Sequence, residues 1–260
     1  MCSTRSLRRT AQVRLRSRVS RTPRIWDVFD RPEDRVFQYP MKIGLFGGTF
    51  DPIHWGHLRN AEEVREAFSL DRLLFIPAGI PPHKRMRPVT PVRDRVAMVR
   101  LAIAKNPGFT LSTVELSRPG KSYSIDTVRD FAKSRGPKDS LYFILGLDAF
   151  LDIGSWKEFE VIFSLCHFIV TSRPGCEDSL SLGRMPVAVR RLFCYDRREK
   201  FYRHKSGTKL YFFKLTDIAI SASDIRNRVK EGKSIRYLVP LQVESYIKRR
   251  GLYRGRREGR

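Results

Sequence analysis

The chain has 260 residues, which is enough for one α/β domain with additions or for two small domains. Its 51 Lys and Arg residues against 27 Asp and Glu give a net charge of +24, which raises the expectation of a polyanionic partner. No apolar run reaches the roughly 18 to 20 residues of a membrane span, and the four cysteines lack the spacing of zinc pairs, so we expect a cytoplasmic protein.

Strands and helical segments alternate along the chain from Met41 onwards. Strands are predicted at 42–46, 72–76, 109–113, 141–145, 167–171 and 210–215. Helices are predicted at 58–68, 92–105, 125–134, 157–165, 187–192, 223–231 and 241–249. This order predicts an α/β fold, with an open parallel sheet, helices on both faces and a small C-terminal helical portion.

Much of the positive charge lies at the two ends of the chain. Residues 1–24 hold eight arginines and no acid. Three interpretations of the leader over 1–40 stay open: a disordered basic arm, an organellar transit peptide, or an extension upstream of a true start at Met41. We favour the third, because a strand-like run begins at that methionine. The predicted organisation is this leader, one domain over 41–253 and a basic tail over 254–260, with weak polyanion binding by the tails.

The most informative stretch runs from Gly47 to His57 and reads GGTFDPIHWGH. It follows the first predicted strand, and open α/β sheets bind ligands at the carboxyl ends of their strands. Glycines let the backbone approach a phosphate closely, and the following helix directs free N–H groups and its positive dipole there. His54 and His57 could instead form a metal pair, but no third ligand is evident apart from Asp51. The stretch therefore predicts a phosphate site that is neither a P-loop nor a G-x-G-x-x-G turn.

This stretch resembles the T/H-x-G-H signature of the nucleotidyltransferase superfamily, which implies a Rossmann-like sheet. Five further strings are similar to bacterial nicotinate-nucleotide adenylyltransferases: 81–84 (PPHK), 122–127 (SYSIDT), 145–148 (LGLD) with Trp156, 172–175 (SRPG) and 220–226 (ISASDIR). The resemblance covers nearly everything from Met41 to about Tyr253. It implies an enzyme that joins ATP and nicotinate mononucleotide to give nicotinate adenine dinucleotide and pyrophosphate, in NAD biosynthesis.

The resemblance also implies roles for individual residues. The implied catalytic residues are His57, His54 and Arg226. The implied ATP-binding residues are Gly47, Gly48, Thr49, Phe50, His54, His57, Arg173, Ser221, Ser223 and Arg226. The implied nicotinate-nucleotide-binding residues are Lys84, Ser124, Thr127, Asp148 and Trp156. Mg²⁺ is expected to accompany ATP, and no metal site built from protein ligands is expected.

Some features leave alternatives open. The late motif of the family usually reads Ile-Ser-Ser-Thr, whereas Ala222 replaces one hydroxyl residue here and Ser223 replaces the threonine. Ser221 or Ser223 could be a helix N-cap only, and Arg226 could pair with Asp224. The acceptor could also be nicotinamide mononucleotide or phosphopantetheine. RNA binding is less favoured because no RNP1-type signature is present. The sequence predicts neither the oligomeric state nor a role for the basic stretch at 190–214.

Overall fold

The computed structural model describes residues 40–79, 89–172 and 185–255. Its strands are β1 (Lys42–Gly48), β2 (Arg72–Pro77), β3 (Phe109–Leu111), β4 (Ser140–Gly146), β5 (His167–Ser172), β6 (Phe193–Asp196), β7 (Phe201–His204) and β8 (Lys209–Lys214). Its helices are α1 (Trp55–Ala67), α2 (Val92–Ile103), α3 (Ser124–Ser134), α4 (Leu147–Leu151), α5 (Phe159–Leu165), α6 (Val187–Arg190), α7 (Ala222–Lys230) and α8 (Leu241–Arg250). None of the helices in these ranges is both long and apolar enough to cross a membrane.

All eight strands form one sheet, in the order β3-β2-β1-β4-β5-β8-β7-β6. Six neighbouring strands run parallel to one another, in the order β3, β2, β1, β4, β5 and β8. This arrangement confirms the predicted α/β class. The strands β7 and β6, which the sequence did not predict, extend this parallel sheet at one edge in antiparallel orientation. The helix predicted over 187–192 ends at Arg190, and the β6–β7 hairpin follows it. Charged residues interrupt the apolar pattern of the hairpin, so the sequence did not predict its strands. Phe193, Phe201 and Tyr202 are nevertheless buried.

Side chains of successive residues in the strands point to opposite faces and build two separate cores. In β4, Leu141, Phe143 and Leu145 belong to the core that α3 and α5 cover. Tyr142 and Ile144 of the same strand belong to the other core, which α1, α2, α7 and α8 cover. This alternation follows from the two-residue period of a strand and confirms helices on both faces of the sheet.

The strand order places a crevice at the centre of the sheet. From β1 the chain adds β2 and β3 on one side, and then returns to add β4 and β5 on the other side. The connections after β1 and β4 therefore leave the sheet in opposite directions at neighbouring carboxyl ends. In open α/β sheets this topological switch point is where ligands bind.

His167, at the start of β5, predicts a pH dependence of stability. Its Nδ1 accepts a hydrogen bond from the Lys209 amide (3.0 Å), and its ring lies 4.8 Å from that of Tyr142. Burial, together with the positive charges of Lys209 and Arg135, lowers the pKa of His167 to about 4. The unfolded chain binds a proton near the ordinary histidine pKa, whereas the folded chain does not, so stability is lost as the pH falls from about 7 towards 4.

We expect His167 to lower the free energy of unfolding by roughly 2 kcal/mol when the pH falls from about 7.5 to about 5. His167→Asn is the matched control, because its amide oxygen can accept from Lys209 but does not titrate. Urea unfolding of both proteins at the two pH values measures the difference. An equal loss of stability in the two proteins would show that His167 is not the responsible group.

Candidate functional site

The turn after β1, residues 49–51, forms the floor of the candidate site. Phe50 has a left-handed backbone (φ 48°), and its side chain is 2% exposed. A Cβ on Gly48 would lie 2.7 Å from the Phe50 ring, so the ring can fold against the strand end only because residue 48 is glycine. A cis peptide bond joins Asp51 to Pro52, and the chain then enters α1. The turn therefore presents backbone at the end of β1.

The two signature histidines meet at the start of α1. His54 is the N-cap residue, with extended backbone, and His57 lies in the first turn. Their rings stack with centroids 3.7 Å apart, and the Phe50 ring meets His57 edge-on at 5.1 Å. A Cβ on Gly56 would lie 3.1 Å from Nδ1 of His54, so this glycine leaves room for the buried imidazole. Both imidazoles therefore lie beside the N-terminus of α1, where the helix dipole and free N–H groups favour an anion.

Helix α7 adds a hydroxyl pair and an arginine to the same region. The Ser221 hydroxyl accepts from the Asp224 amide (3.1 Å), which makes Ser221 the N-cap, and it lies 3.2 Å from the Ser223 hydroxyl. The guanidinium of Arg226 donates to the carbonyl of Asp51. Asp224 pairs with Arg228 (3.2 Å). The late motif therefore lies against the β1 turn, as the phosphate-site interpretation requires.

A cavity of about 280 Å³ opens at the switch point, beside this turn. Its wall includes six of the predicted residues: Gly47, Gly48, Thr49, Ser124, Thr127 and Trp156. Others that line it are Phe46, Ala78, Glu115, Ser122, Tyr123, Gly146 and Lys157. Of the other predicted residues in the described ranges, Phe50 lies in the turn, and His54, His57 and Arg226 lie beside it rather than in this wall. The predicted residues therefore form two groups, one in the cavity wall and one packed around the β1 turn.

The far wall of the cavity is aromatic and polar. Trp156 meets the Phe143 ring edge-on at 6.2 Å and faces the cavity. The ammonium of Lys157 lies 5.0 Å from the centre of the Tyr123 ring. Ser124 is the first residue of α3, so the free N–H groups of that helix start at the cavity wall. The wall can therefore take a flat ring together with a negatively charged group.

Thr127 is in the wall, but its hydroxyl bonds within the protein. It donates to Oε1 of Glu115 (2.9 Å) and accepts from Arg118 (3.0 Å). Burial raises the pKa of Glu115, while the bonds and charge of Thr127 and Arg118 act in the opposite direction. Its predicted place along the nicotinate nucleotide stays a prediction, and these two bonds tie its hydroxyl to the chain before α3. Glu115 was missed, because a single loop carboxylate carries no local signal of burial.

The family of the chain follows from comparison with known proteins. A family model described as cytidylyltransferase-like matches residues 45–228. A protein of Geobacter sulfurreducens, named a probable nicotinate-nucleotide adenylyltransferase, is 50% identical over 213 residues, covering 82% of this chain and 98% of the relative. A protein of Geotalea uraniireducens with the same name is 51% identical over the same shares of the two chains. The chain belongs to the nicotinate-nucleotide adenylyltransferase family.

Solved structures of this family share the fold. The nicotinic acid mononucleotide adenylyltransferase of Plasmodium falciparum, solved in complexes with APC and with NaAD, superposes with TM-scores of 0.60 and 0.61. Sequence identity is 19%, and the match covers 82% of this chain and 97% of that one. The resemblance inferred from the sequence is confirmed by the relatives, and the α/β nucleotidyltransferase fold by the structures.

The remaining residues predicted for the adenylyltransferase site are Asp148, Lys84 and Arg173. Asp148 lies in the first turn of α4, directly after β4, and is exposed at the mouth of the switch point. Lys84 and Arg173 lie outside the described residues. Their predicted roles in binding the acceptor phosphate and the adenine side therefore stay predictions.

Proposed function

We propose that the chain transfers the adenylyl group of ATP to nicotinate mononucleotide, giving nicotinate adenine dinucleotide and pyrophosphate. The relatives with this name are half identical in sequence and are matched over nearly their whole length. The observation that carries the proposal is the cavity that joins the glycine turn after β1 to the wall of Tyr123, Ser124 and Trp156. At one end of the cavity, the backbone can approach a phosphate chain closely. At the other end, the aromatic wall can pack against a pyridine ring.

The proposed phosphate end is the turn and its surroundings. Gly47, Gly48 and Thr49 would approach the phosphates of ATP through the backbone, and His54 and His57 would donate to phosphate oxygens. The capped N-terminus of α7, with its two hydroxyls and Arg226, would hold the pyrophosphate that leaves. Arg173 is proposed on the adenine side.

The proposed acceptor end is the far wall. Trp156 would stack on the pyridine ring, Ser124 would lie along the nucleotide at the N-terminus of α3, and Asp148 would accept from a ribose hydroxyl. Thr127 would act by holding the wall in shape, and Lys84 would approach the acceptor phosphate. These assignments use the chemistry of each group and its place in the crevice.

The transfer needs positioning more than a nucleophilic side chain. An oxygen of the acceptor phosphate attacks the α-phosphorus of ATP in line, a new phosphorus–oxygen bond forms, and the bond to the β-phosphate breaks to release pyrophosphate. The two substrates are both anionic, so the cationic and N–H groups of the site must offset their repulsion and the charge that develops between them.

Mg²⁺ fits this site as a companion of ATP rather than as a resident ion. In the described part of the chain, no three His, Cys, Asp or Glu residues cluster as a metal-binding group. The groups around the turn are mainly donors, which suit phosphate oxygens and not a cation. When bound, Mg²⁺ neutralises phosphate charge, and ATP oxygens and water would supply most of its ligands.

The test is pyrophosphate release by the full chain with ATP and Mg²⁺. Nicotinate mononucleotide, nicotinamide mononucleotide and phosphopantetheine are compared as acceptors, and CTP replaces ATP in a parallel series. We expect the highest kcat/KM with ATP and nicotinate mononucleotide. Equal or better turnover with phosphopantetheine, or with CTP, would overturn the proposal.

The two glycines at the end of β1 give a matched pair of variants. A Cβ on Gly47 would meet no atom within 4 Å, although Gly47 lines the cavity. Gly47→Ala should therefore fold normally and raise the KM for ATP, because the methyl group occupies space beside the phosphates. Gly48→Ala places its Cβ against the Phe50 ring and should cost about 1–3 kcal/mol of stability.

Thermal unfolding and initial rates separate the two effects. Gly47→Ala should keep the wild-type Tm, and Gly48→Ala should lower it. An unchanged KM for ATP in Gly47→Ala would mean that phosphate does not approach the backbone at this strand end.

A further inference from the structure

The shape of the β1 turn is maintained from outside the signature motif. Phe50 has a left-handed backbone, which costs a non-glycine residue about 1–2 kcal/mol. Such a conformation persists only where the surrounding structure holds it. The residues on either side, Thr49 and Asp51, are held by groups that lie far away in the chain.

Arg95 on α2 is the first of these groups and is only 2% exposed. Its guanidinium donates to the carbonyls of Thr49 (2.8 Å), Ala78 (2.8 Å), Thr90 (3.1 Å) and Gly79 (3.4 Å). Burial lowers the pKa of Arg95, and the nearby carboxylate of Asp51 acts in the opposite direction. One side chain thus joins the turn after β1 to the chain after β2 and before α2.

Tyr253, beyond the last helix, is the second group. Left-handed backbones at Gly251 (φ 62°) and Tyr253 (φ 64°) turn the chain back after α8. The Tyr253 hydroxyl donates to Oδ1 of Asp51 (2.8 Å), and the Thr90 amide lies 3.4 Å from Oδ2. Asp51 is 6% exposed, so its carboxylate depends on these partners. Burial and the charge of Asp51 raise the pKa of Tyr253.

We propose that Tyr253 is a positioning residue for adenylyl transfer, which acts through Asp51 to hold the β1 turn in its ATP-binding shape. The inference rests on the function proposed above. Tyr253 lies beyond residues 45–228, which the cytidylyltransferase-like family model matches. The C-terminal segment would thus support the phosphate end of the site through the hydrogen bond from Tyr253 to Asp51.

Tyr246 on α8 provides a matched control. Its hydroxyl donates to Oδ1 of Asp94 at 2.8 Å, the same distance as the bond from Tyr253 to Asp51. Asp94 is also buried, but it lies on α2 and not in the β1 turn. Tyr253→Phe and Tyr246→Phe each remove one hydroxyl that bonds a buried aspartate and keep the ring. A purely structural role predicts the same consequence for both.

The experiment measures kcat, the KM for ATP and for nicotinate mononucleotide, and Tm for both variants in the full chain. We expect Tyr253→Phe to lower kcat/KM for ATP by about 10-fold, because a small misplacement of binding groups is costly. Tyr246→Phe should lower Tm comparably and leave kcat/KM near the wild-type value. Asp51→Ala, which removes the acceptor of the Tyr253 hydroxyl, tests the route: adding Tyr253→Phe to it should cause little further loss.

Two results would overturn the inference: wild-type kinetics in Tyr253→Phe, or equal losses of kcat/KM in the two tyrosine variants. A wild-type chain without turnover would instead contradict the proposed function. Amide hydrogen exchange at 49–51 then decides the inference by itself. Faster exchange in Tyr253→Phe than in Tyr246→Phe supports it, and equal exchange contradicts it.

Discussion

Replacing His57 with alanine is expected to lower kcat by about 10²–10³-fold or more, the cost of removing one preorganised donor from developing negative charge. His57 lies in the first turn of α1, stacked on His54 and supported edge-on by Phe50. These contacts fix the imidazole before substrate arrives. Steady-state kinetics with saturating ATP and nicotinate mononucleotide measure the effect.

His57→Gln separates the chemical effect from a structural one. Glutamine keeps an N–H donor on a side chain of similar reach, so it should recover part of the rate that alanine loses. Both variants should keep a Tm close to that of the wild type, since His57 is only partly buried. A near-wild-type kcat in His57→Ala would show that His57 has no role in the reaction. It would also contradict the assignment of the chain's activity from the signature.

The parts of the site that could be predicted are those that a local string encodes. Gly47 to His57 is contiguous, and each member lies in the strand end, the turn or the helix start. The alternation of strands and helical segments along the chain likewise predicted the parallel strands, because parallel neighbours need a crossover connection, usually a helix. The fold and the position of the turn therefore followed from neighbours in sequence, and the phosphate-binding role of the turn stays a prediction.

The contacts that shape the turn could not be predicted in this way. Arg95 reads as an ordinary helix arginine, and Tyr253 as the last residue of the predicted domain before the basic tail. Each becomes significant only when the fold brings it to Thr49 or Asp51, across 46 and 202 residues of chain respectively. Glu115 is a similar case, because its partner Thr127 lies on the next helix. Burial of a polar group depends on tertiary packing, which periodicity does not contain.

The late motif lies between these cases. The sequence left Ser221 open as a helix cap or an anion ligand, and the structure gives it the cap without removing its hydroxyl from the site. The missing hydroxyl at Ala222 falls on the first residue of α7, whose backbone N–H remains at the helix start. The local string predicted the helix start, but only the fold places it against Asp51.

Arg226→Ala is expected to lower kcat/KM for ATP by about 10²-fold, because it removes both a tie to the β1 turn and a cation proposed to face the leaving pyrophosphate. Arg228 is the matched control on the same helix. It pairs with Asp224, and its side chain is 42% exposed, so Arg228→Ala should leave the kinetics near wild type.

Arg226→Lys distinguishes the two contributions of the arginine. A lysine keeps the positive charge but loses the planar fork that can donate to Asp51 and to a phosphate together. An intermediate rate in Arg226→Lys would mean that charge and geometry both matter, and a rate as low as that of alanine would assign the effect to geometry. If Arg226→Ala behaves like Arg228→Ala, the N-terminus of α7 does not hold the pyrophosphate, and only its cap remains.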